Sequence, residues 1–551
     1  MNNSMIEVSV DGVQITVEAG TKLESLIDLE KDVHKSMIIA ATVNNELREL
    51  TYRLESPGSV KFIDMTCEDG IRIYQRSLKF LLIKALHDCY PDRDVAIRHS
   101  VSKGIFFDIV GPELSGKEVK HLEKHMHELS AKDIPFQKIT VSIEEAKKIF
   151  QDSGREDRIR AIQNRSKDYV TLYLFDDVED YFYGYMAPSS GYLKLFELEL
   201  IEGGLVLIMP KKDAPTSLPD GKVPGKLFNI FSEYTNWIRV LGVGDVGRLN
   251  ETVQEGKIVD LIRISEALHE KTIANIADQI HNESERIRVI LIAGPSSSGK
   301  TTFAQRLSVQ LRVNGMIPVN ISVDNYFKDQ RFAPLDASGR PDFESIDCVD
   351  LQMFNTAIEM LIRGNAIEIP TFNFEKGIQE FRGETLSLDS SHVLIIEGIH
   401  GLNPMLTASI DDQYKFCIYI SAITSMQMDR HNRIPTTDLR LIRRLIRDFR
   451  TRGASAQKTI GMWPSVRDGE EKNIFPYQER ADAMFNSSLI YELGVLKPFV
   501  MPILDTVQPE NVEYAEARRL IEFLSYVLPI GHDEVPRTSI LREFIGGSNF
   551  Y

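Results

Sequence analysis

The chain has 551 residues, a formal net charge of −16 and 43% hydrophobic residues. This length allows several domains with complete cores, and the acidic charge argues against nucleic-acid or anionic-membrane binding over the whole surface. The four cysteines are widely spaced and form no C-x-x-C pair, which favours a reducing compartment. We find no signal-peptide pattern and no apolar run long enough to cross a bilayer, so we expect a cytoplasmic protein.

Residues 1–65 predict a small β-rich module. Apolar and polar residues alternate on both sides of the turn Asp11-Gly12, and Thr21–Leu29 predicts a short helix. The predicted strands are Ile6–Val10, Val13–Val17, Met37–Val43 and Ser59–Ile63. This pattern resembles a TGS domain, a β-grasp module found at the front of threonyl-tRNA synthetases and some GTPases.

Residues 66–210 begin with a helix and then alternate strand-like and helical pieces. They resemble the second N-terminal domain of threonyl-tRNA synthetase, an α+β domain that hydrolyses mischarged tRNA. Where that family carries H-S-T-A-H, this chain reads Arg76-Ser-Leu-Lys-Phe80, and the family's later Cys and His map to Phe182 and Met186. These residues cannot supply the lost metal or proton chemistry. The resemblance therefore implies an editing fold without its active residues, with a role in binding, regulation or assembly.

The three histidines of KHLEKHMHEL lie in a predicted helix of this region. His121 and His125 are four residues apart, which suits two metal ligands on one face. Because no third ligand and no H-E-x-x-H pattern accompanies them, we favour a solvated helix face.

Residues 211–285 predict a connector with a loop and two helices. Lys211–Lys226 is rich in Pro, Gly and Asp, and Phe228–Leu241 and Ile258–Ile280 have helical apolar spacing. We expect Trp237 to pack these helices against a neighbour.

A phosphate-binding loop follows the apolar stretch Val289–Ala293 and precedes a predicted helix, Thr302–Arg312. Its pattern, G-x-x-x-x-G-K-[ST], directs backbone N–H groups and the positive end of the helix at a polyphosphate. Lys300 is expected to contact the terminal phosphates, and the hydroxyl of Thr301 is expected to bind Mg²⁺. The residues expected to bind the cofactor ATP are Gly294, Pro295, Ser296, Ser297, Ser298, Gly299, Lys300, Thr301 and Thr302.

Strand candidates alternate with helical stretches from about residue 285, which predicts a parallel sheet with helices on both faces. Ligands of such sheets bind at the carboxyl ends of the strands. Asp324 follows one strand, Val319–Val323, and is a candidate base for a substrate hydroxyl. Glu397 follows another strand, His392–Ile396, and is a candidate Mg²⁺ ligand.

A basic helix is predicted over Asp438–Gly453, with Arg440, Arg443, Arg444 and Arg447 at helical spacing. Such a cluster is often a solvated face or an ion-pair network. Because it follows a phosphate loop, we predict a mobile arginine lid that neutralises a transferring phosphoryl group.

Five motifs in fixed order identify a resemblance over about Arg286–Leu520. The motifs GPSSSGKTT, SVDNYF, IPTFNF, LIIEGI and RRLIRD together resemble the uridine kinase branch of the phosphoribulokinase/uridine kinase family. The resemblance implies transfer of a phosphoryl group from ATP to a hydroxyl. It implies Asp324 as the base, Lys300 and Arg447 as further catalytic residues, and Arg452 as a phosphate ligand.

The acceptor-binding residues implied by the resemblance depart from the family pattern. The family's Asp corresponds to Glu344, and its P-x-Y-D-F motif loses the tyrosine hydroxyl at Phe372. A site that loses such partners reads a pyrimidine nucleoside differently, since each unpaired buried polar group costs about 1–3 kcal/mol. The residues expected to bind the acceptor are Tyr326, Glu344, Phe372 and Arg444.

The sequence thus predicts an α/β chain that ends in a P-loop kinase domain. The leading hypothesis is an ATP- and Mg²⁺-dependent kinase of uridine or cytidine, and the alternative acceptor is a sugar phosphate or another small alcohol. A third hypothesis is an ATP-binding regulatory protein whose N-terminal region recognises RNA or a synthetase-related ligand. The tail could dock on its own chain or on a second subunit in a homo-oligomer. The predicted divisions are 1–65, 66–210, 211–285, 286–520 and the tail 521–551.

Overall fold

The computed structural model describes residues 4–29, 33–101, 103–165, 167–220, 237–238, 240–335, 339, 341–374, 376–389, 391–424 and 426–550. Within these residues, no helix combines the length and the apolar character that a membrane span requires. Most of the predicted helix Phe228–Leu241 lies outside the described residues.

The N-terminal module is a five-stranded mixed sheet in the order β2-β1-β7-β4-β5, in which β1 pairs antiparallel with β2 and parallel with β7. The predicted helix Thr21–Leu29 is wrong at its start, because Thr21 pairs with Leu54 in a short ladder and the turn over Leu23–Leu29 is a 3₁₀ helix. The strands are β1 Met5–Val10, β2 Val13–Glu18, β3 Thr21–Lys22, β4 Ile38–Val43, β5 Glu46–Glu49, β6 Arg53–Leu54 and β7 Gly58–Asp64.

The second region is an α+β unit built around one long helix. Helix α1, Glu68–Cys89, buries Leu78, Leu81 and Leu82 completely, and two antiparallel sheets have the orders β13-β14-β9-β8 and β10-β11-β12. The elements after α1 are β8 Asp94–Val101, β9 Gly104–Val110, α2 Gly116–Ala131, β10 Phe136–Ser142, α3 Ile143–Asp152, α4 Glu156–Ile162, β11 Tyr169–Phe175, β12 Val178–Asp180, β13 Glu197–Ile201 and β14 Gly204–Ile208.

Two helices connect this region to the next, α5 Val246–Gln254 and α6 Ile258–Asn282. Asp245 caps α5 by accepting the N–H of Arg248. Trp237 lines a small cavity with Leu268 and Leu493, which agrees with the packing role predicted for it.

The C-terminal region contains the predicted parallel sheet, in the order β16-β19-β15-β20-β23. The central strand β15 is buried on both faces: Val289 and Leu291 pack into one apolar cluster, and Ile290 and Ile292 pack into another. Helices cover both faces, so the predicted α/β architecture is confirmed. The elements are β15 Val289–Ala293, α7 Lys300–Val313, β16 Ile317–Ser322, α8 Leu351–Ile362, β17 Ile367–Asn373, β18 Ile378–Leu386, β19 His392–Glu397, β20 Lys415–Ser421, β21 Gln427–Asp429, β22 Asn432–Arg433, α9 Thr436–Arg452, α10 Ala456–Asn473, β23 Ala483–Asn486, α11 Glu492–Leu504, α12 Tyr514–Leu524 and α13 Arg542–Ile545.

The C-terminal segment packs on its own chain. Helix α12 continues through position 520, where the sequence placed a boundary. Beyond it, Ile540, Leu541 and Phe544 are buried completely in the cores of the parallel-sheet region. The described part of the segment is therefore a structural part of this region.

Polar contacts join the second region to the parallel-sheet region. The buried ring of His431 lies 2.7 Å from Asp180 and 3.1 Å from Asp94. The half-buried side chains of Arg72, in α1, and Glu516, in α12, form an ion pair at 2.8 Å. Because these contacts join residues that are far apart in the chain, they fix how the two regions meet.

Candidate active site

The phosphate loop lies between β15 and α7, where its sequence meets tight backbone constraints. A Cβ atom on Gly294 would lie 2.1 Å from the carbonyl oxygen of Ile420. Gly299 has a φ of +86° directly before the helix, and Ser297 also adopts a positive φ of 60°. Only glycine fits the first position and it is strongly favoured at the second, which explains why the two glycines of the motif are needed.

Two buried arginines of α9 hold the loop from behind. Arg440 donates to the carbonyl oxygen of Ser296 at 2.9 Å, and Glu470 of α10 pairs with Arg440 and accepts the N–H of Ser296 at 3.0 Å. Arg443 donates to the carbonyl oxygen of Ser297 at 3.4 Å and forms an ion pair with Glu492. Arg440 and Arg443 therefore support the backbone of the loop.

The loop opens into a cavity of about 760 Å³ at the carboxyl ends of the parallel strands. Lys300 and Thr301 line it from the loop, Asp324 lines it from the end of β16, and Glu397 lines it from the end of β19. The prediction that these side chains meet at one edge of the sheet agrees with this geometry.

Two acidic side chains of the cavity, Glu397 and Asp324, have raised pKa values. Burial, together with the nearby charge of Asp324, raises the pKa of Glu397 to about 7. Burial also raises the pKa of Asp324, against the opposing charges of Lys300, Arg452 and Arg447. Carboxylates withdrawn from water in this way bind a proton or a cation more readily, which suits a base or a metal ligand.

Mg²⁺ fits the oxygen groups at this edge. The hydroxyl of Thr301 lies 3.5 Å from Oε1 of Glu397, and Mg²⁺ is usually held by one or two protein oxygens together with phosphate oxygens. Among the residues that the structure describes, no group of three or more His, Cys, Asp or Glu is placed to hold a metal by itself. The ammonium of Lys300 donates to the carbonyl oxygens of Gly294 and Pro295 at 3.0 and 3.2 Å, at the mouth of the loop.

The arginine helix is a wall of the cavity. Arg444, Arg447 and Arg452 line the cavity, and Asp448 pairs with all three at 3.2, 2.9 and 3.5 Å. Arg444 also donates to the hydroxyl of Ser296 at 2.8 Å. Residues 438–446 of the helix are buried, so the prediction of a mobile lid does not agree with the structure. A helix with this much buried apolar surface is among the more stable parts of a domain.

The predicted acceptor residues separate into two groups. Glu344 and Phe372 line the cavity, and burial raises the pKa of Glu344 to about 7 despite the nearby charge of Arg444. Tyr326 is fully buried, packs perpendicular to Phe354 at 5.0 Å and does not line the cavity. The structure therefore brings Glu344, Phe372 and Arg444 together and places Tyr326 in the core.

The C-terminal segment contributes cavity residues that sequence reasoning did not find. Arg542, Glu543 and residues 546–548 line the cavity opposite the strand ends. Arg450 of α9 holds the segment by donating to the carbonyl oxygens of Glu543 and Phe544 at 2.7 and 2.9 Å. No local motif marks these residues, because their contacts join distant parts of the chain.

Three of the four positions mapped to an editing site in the second region, Phe80, Phe182 and Met186, pack into an apolar core. The rings of Phe80 and Phe182 lie 5.0 Å apart, and the sulfur of Met186 accepts a hydrogen bond from the hydroxyl of Ser77 at 3.6 Å. Arg76 donates to the carbonyl oxygen of Tyr185. All four mapped positions thus lie on or close to one side of α1, and their side chains make packing and hydrogen-bond contacts there.

The three histidines of α2 have separate neighbours. His125 lies 3.0 Å from Asp88, His127 stacks on Phe196 at 4.2 Å, and the ring of His121 is 6.3 Å from that of Tyr90. The histidines therefore do not converge on a common ligand.

Comparison with known proteins assigns different relatives to the two halves. Residues 289–490 match the model of the Phosphoribulokinase / Uridine kinase family. The threonine–tRNA ligase of Rubrobacter xylanophilus is 25% identical over 197 residues, which cover 35% of this chain and 30% of the ligase. That of Vesicomyosocius okutanii is 29% identical over 199 residues, which cover 34% of this chain and 31% of the ligase.

Both resemblances seen in the sequence are therefore confirmed. This chain spans less than a third of the length of these two ligases. A solved structure of a possible uridine kinase from Bacillus stearothermophilus is 19% identical, covers 36% of this chain and 89% of that chain, and has a TM-score of 0.25.

Proposed function

We propose that the C-terminal region is a kinase that transfers the γ-phosphoryl group of ATP to a hydroxyl of a small molecule, with uridine or cytidine as the first candidates. The observation that carries this proposal is the placement of Lys300, Thr301, Asp324 and Glu397 around one cavity at the carboxyl edge of the sheet. The match of residues 289–490 to a kinase family supports it.

The chain's own residues account for each part of the transfer. Asp324 accepts the proton of the acceptor hydroxyl while the hydroxyl oxygen bonds to the γ-phosphorus. The bond between the γ-phosphorus and the β–γ bridging oxygen breaks, and ADP leaves. Lys300 and Arg447 offset the negative charge of the transferring group. Thr301 and Glu397 would hold Mg²⁺, which would supply positive charge at the phosphates.

Aromatic rings in the cavity support a ring-shaped acceptor. Phe372 packs edge to face against Phe327 at 5.8 Å and against Phe374 at 5.1 Å. All three line the cavity, and aromatic faces of this kind pack on planar bases. Glu344, beside them, can accept or donate a hydrogen bond near neutral pH because its pKa is raised to about 7.

A sugar phosphate is the second candidate acceptor, and the charge of the cavity favours it. Basic side chains outnumber acidic ones along the walls, and Lys328 and Lys458 lie there in addition to the arginines. Surplus positive charge beyond what ATP and Mg²⁺ need would attract an anionic acceptor.

The test is ADP formation with Mg²⁺ and a panel of nucleosides, sugar phosphates and small alcohols. We expect one class to stimulate ADP formation, and Asp324→Asn to lower kcat about 10²- to 10⁴-fold because the base is lost. Asp347→Asn, an exposed carboxylate outside the cavity, is the matched control. Equal rates in all three proteins would contradict the role of Asp324.

An ATP-binding regulatory protein is the remaining candidate, favoured by the contacts of Arg72 with Glu516 and of His431 with Asp180, which join the ligase-like region to the kinase-like region. Salt-sensitive binding of bulk tRNA in an electrophoretic shift, with no acceptor-dependent ADP formation, would favour this candidate over the kinase.

A further inference from the structure

The carboxylate of Glu543 occupies donors of the phosphate loop. It accepts the hydroxyl of Thr302 at 2.8 Å and the backbone N–H of Thr302 at 3.3 Å. That N–H belongs to the first turn of α7, at the positive end of the helix. Such donors are the ones that a phosphate loop directs at its anion.

The backbone around Glu543 is held firmly in place. Ile540 and Phe544 are buried on either side of it, and Ile540 lies so close to the loop that a Cβ atom on Gly299 would be 2.5 Å from its Cγ2. Arg450 fixes the carbonyl oxygens of Glu543 and Phe544. The half-buried side chain of Glu543, by contrast, reaches into the cavity.

A nucleotide phosphate and the carboxylate of Glu543 cannot accept hydrogen bonds from the same Thr302 donors at the same time. Both are anions, and the positive end of α7 stabilises whichever one is bound. Glu543 also lies near Glu397 and contributes to raising the pKa of Glu397. Its carboxylate therefore adds negative charge to a site that must also accept the negative charge of the nucleotide phosphates. Each bound nucleotide would have to displace it.

We propose that Glu543 is a built-in competitor of the nucleotide, whose carboxylate holds the Thr302 donors until a phosphate replaces it. This inference rests on the proposed function, because it takes the loop to be a nucleotide site. The C-terminal segment would then lower the affinity for ATP and ADP alike, since the competition is for a phosphate position common to both.

Two possible roles of Glu543 predict opposite changes in nucleotide affinity when its carboxylate is removed. If the carboxylate only capped α7 and shaped the site, its removal would loosen the loop and weaken nucleotide binding. If it competes, removal takes away an anion that the phosphate would otherwise have to displace, and it strengthens nucleotide binding. Glu543→Gln retains the shape and removes the charge, and Glu543→Ala removes both. Glu534→Gln, an exposed carboxylate of the same segment, is the control.

The experiment is calorimetric titration of the full chain and these three variants with MgATP, with thermal unfolding of each unliganded protein as the test of folding. We expect both Glu543 variants to bind MgATP about tenfold more tightly, since a charge-assisted contact to two donors is worth that much, and the control to match the wild type. Equal or weaker binding by both folded variants would overturn the inference. No MgATP binding by any of the four proteins would instead overturn the proposed function on which the inference rests.

Discussion

Two regions of this molecule resemble parts of enzymes, and they differ in what occupies the reactive positions. In the second region, Phe80, Phe182 and Met186 fill the mapped site and pack into a continuous core. In the parallel-sheet region, Asp324 and Glu397 remain at the strand ends beside an open cavity. A resemblance to part of an enzyme therefore does not by itself establish an active site, and the residues at the mapped positions distinguish the packed core from the open cavity.

Lys300→Met tests the region with the open cavity, and its effect should be the largest after that of Asp324→Asn. Loss of the ammonium removes a charge aimed at the transferring phosphates, so kcat should fall about 10²- to 10³-fold. Acceptor-dependent ADP formation measures it, with Lys271→Met on the exposed face of α6 as the control. A kcat within twofold of the wild type would show that the loop plays no part in catalysis.

Phe80→Ala tests how tightly the second region is packed around its mapped positions. Phe80 is fully buried among Phe136, Phe175 and Phe182, so truncation should lower the free energy of unfolding by about 3–5 kcal/mol. Denaturant unfolding measures this, and Phe332→Ala, at a side chain that is 63% exposed, should change it by about 0.5 kcal/mol or less. A change below about 1 kcal/mol for Phe80→Ala would mean that the mapped site is loosely packed.

The pH dependence sharpens the account of the cavity. Glu397, with a pKa of about 7, must ionise to bind Mg²⁺, so the Mg²⁺ concentration for half-maximal activity should be about tenfold lower at pH 8 than at pH 6. The contribution of Glu397 to the free energy of unfolding should instead decrease as the pH rises. The pKa of Glu397 is higher in the folded than in the unfolded chain, so its contribution is lost as pH rises from about 4.5 to about 7.

Glu344→Gln is the matched control for this pH response, because Glu344 has a pKa of about 7 in the same cavity. The Mg²⁺ requirement of this variant should keep its pH dependence, and that of Glu397→Gln should lose it. A requirement that is constant from pH 6 to pH 8 in the wild type would rule out Glu397 as the titrating ligand.

The sequence was sufficient to predict those site residues that belong to a local sequence pattern. Lys300 and Thr301 lie within one motif, and Asp324 and Glu397 each follow an apolar strand, so their meeting at one sheet edge could be predicted. The arginine helix was misjudged because its basic spacing suggested a surface. Apolar residues at helical spacing, such as Leu439, Ile442 and Ile446, were the signal that one face of this helix packs against a core.

Other features could not be predicted because they depend on contacts across the chain. Glu543 and Thr302 are 241 residues apart, and Glu470 reaches the loop from a helix with no distinguishing motif. The side chain of Tyr326 turns into the core because the 3₁₀ turn Val323–Tyr326 follows β16. Neither the form nor the direction of that turn is fixed by the alternation of apolar residues.

The most direct test of the central claim is ³¹P NMR of the full chain with MgATP and the acceptor panel, with Asp324→Asn measured in parallel. The account predicts a new phosphate-ester signal that grows with ADP in the wild type and is nearly absent in the variant. ATP that binds without any phosphate ester in either protein would contradict it, and would mean that the cavity holds the nucleotide without transferring its phosphoryl group.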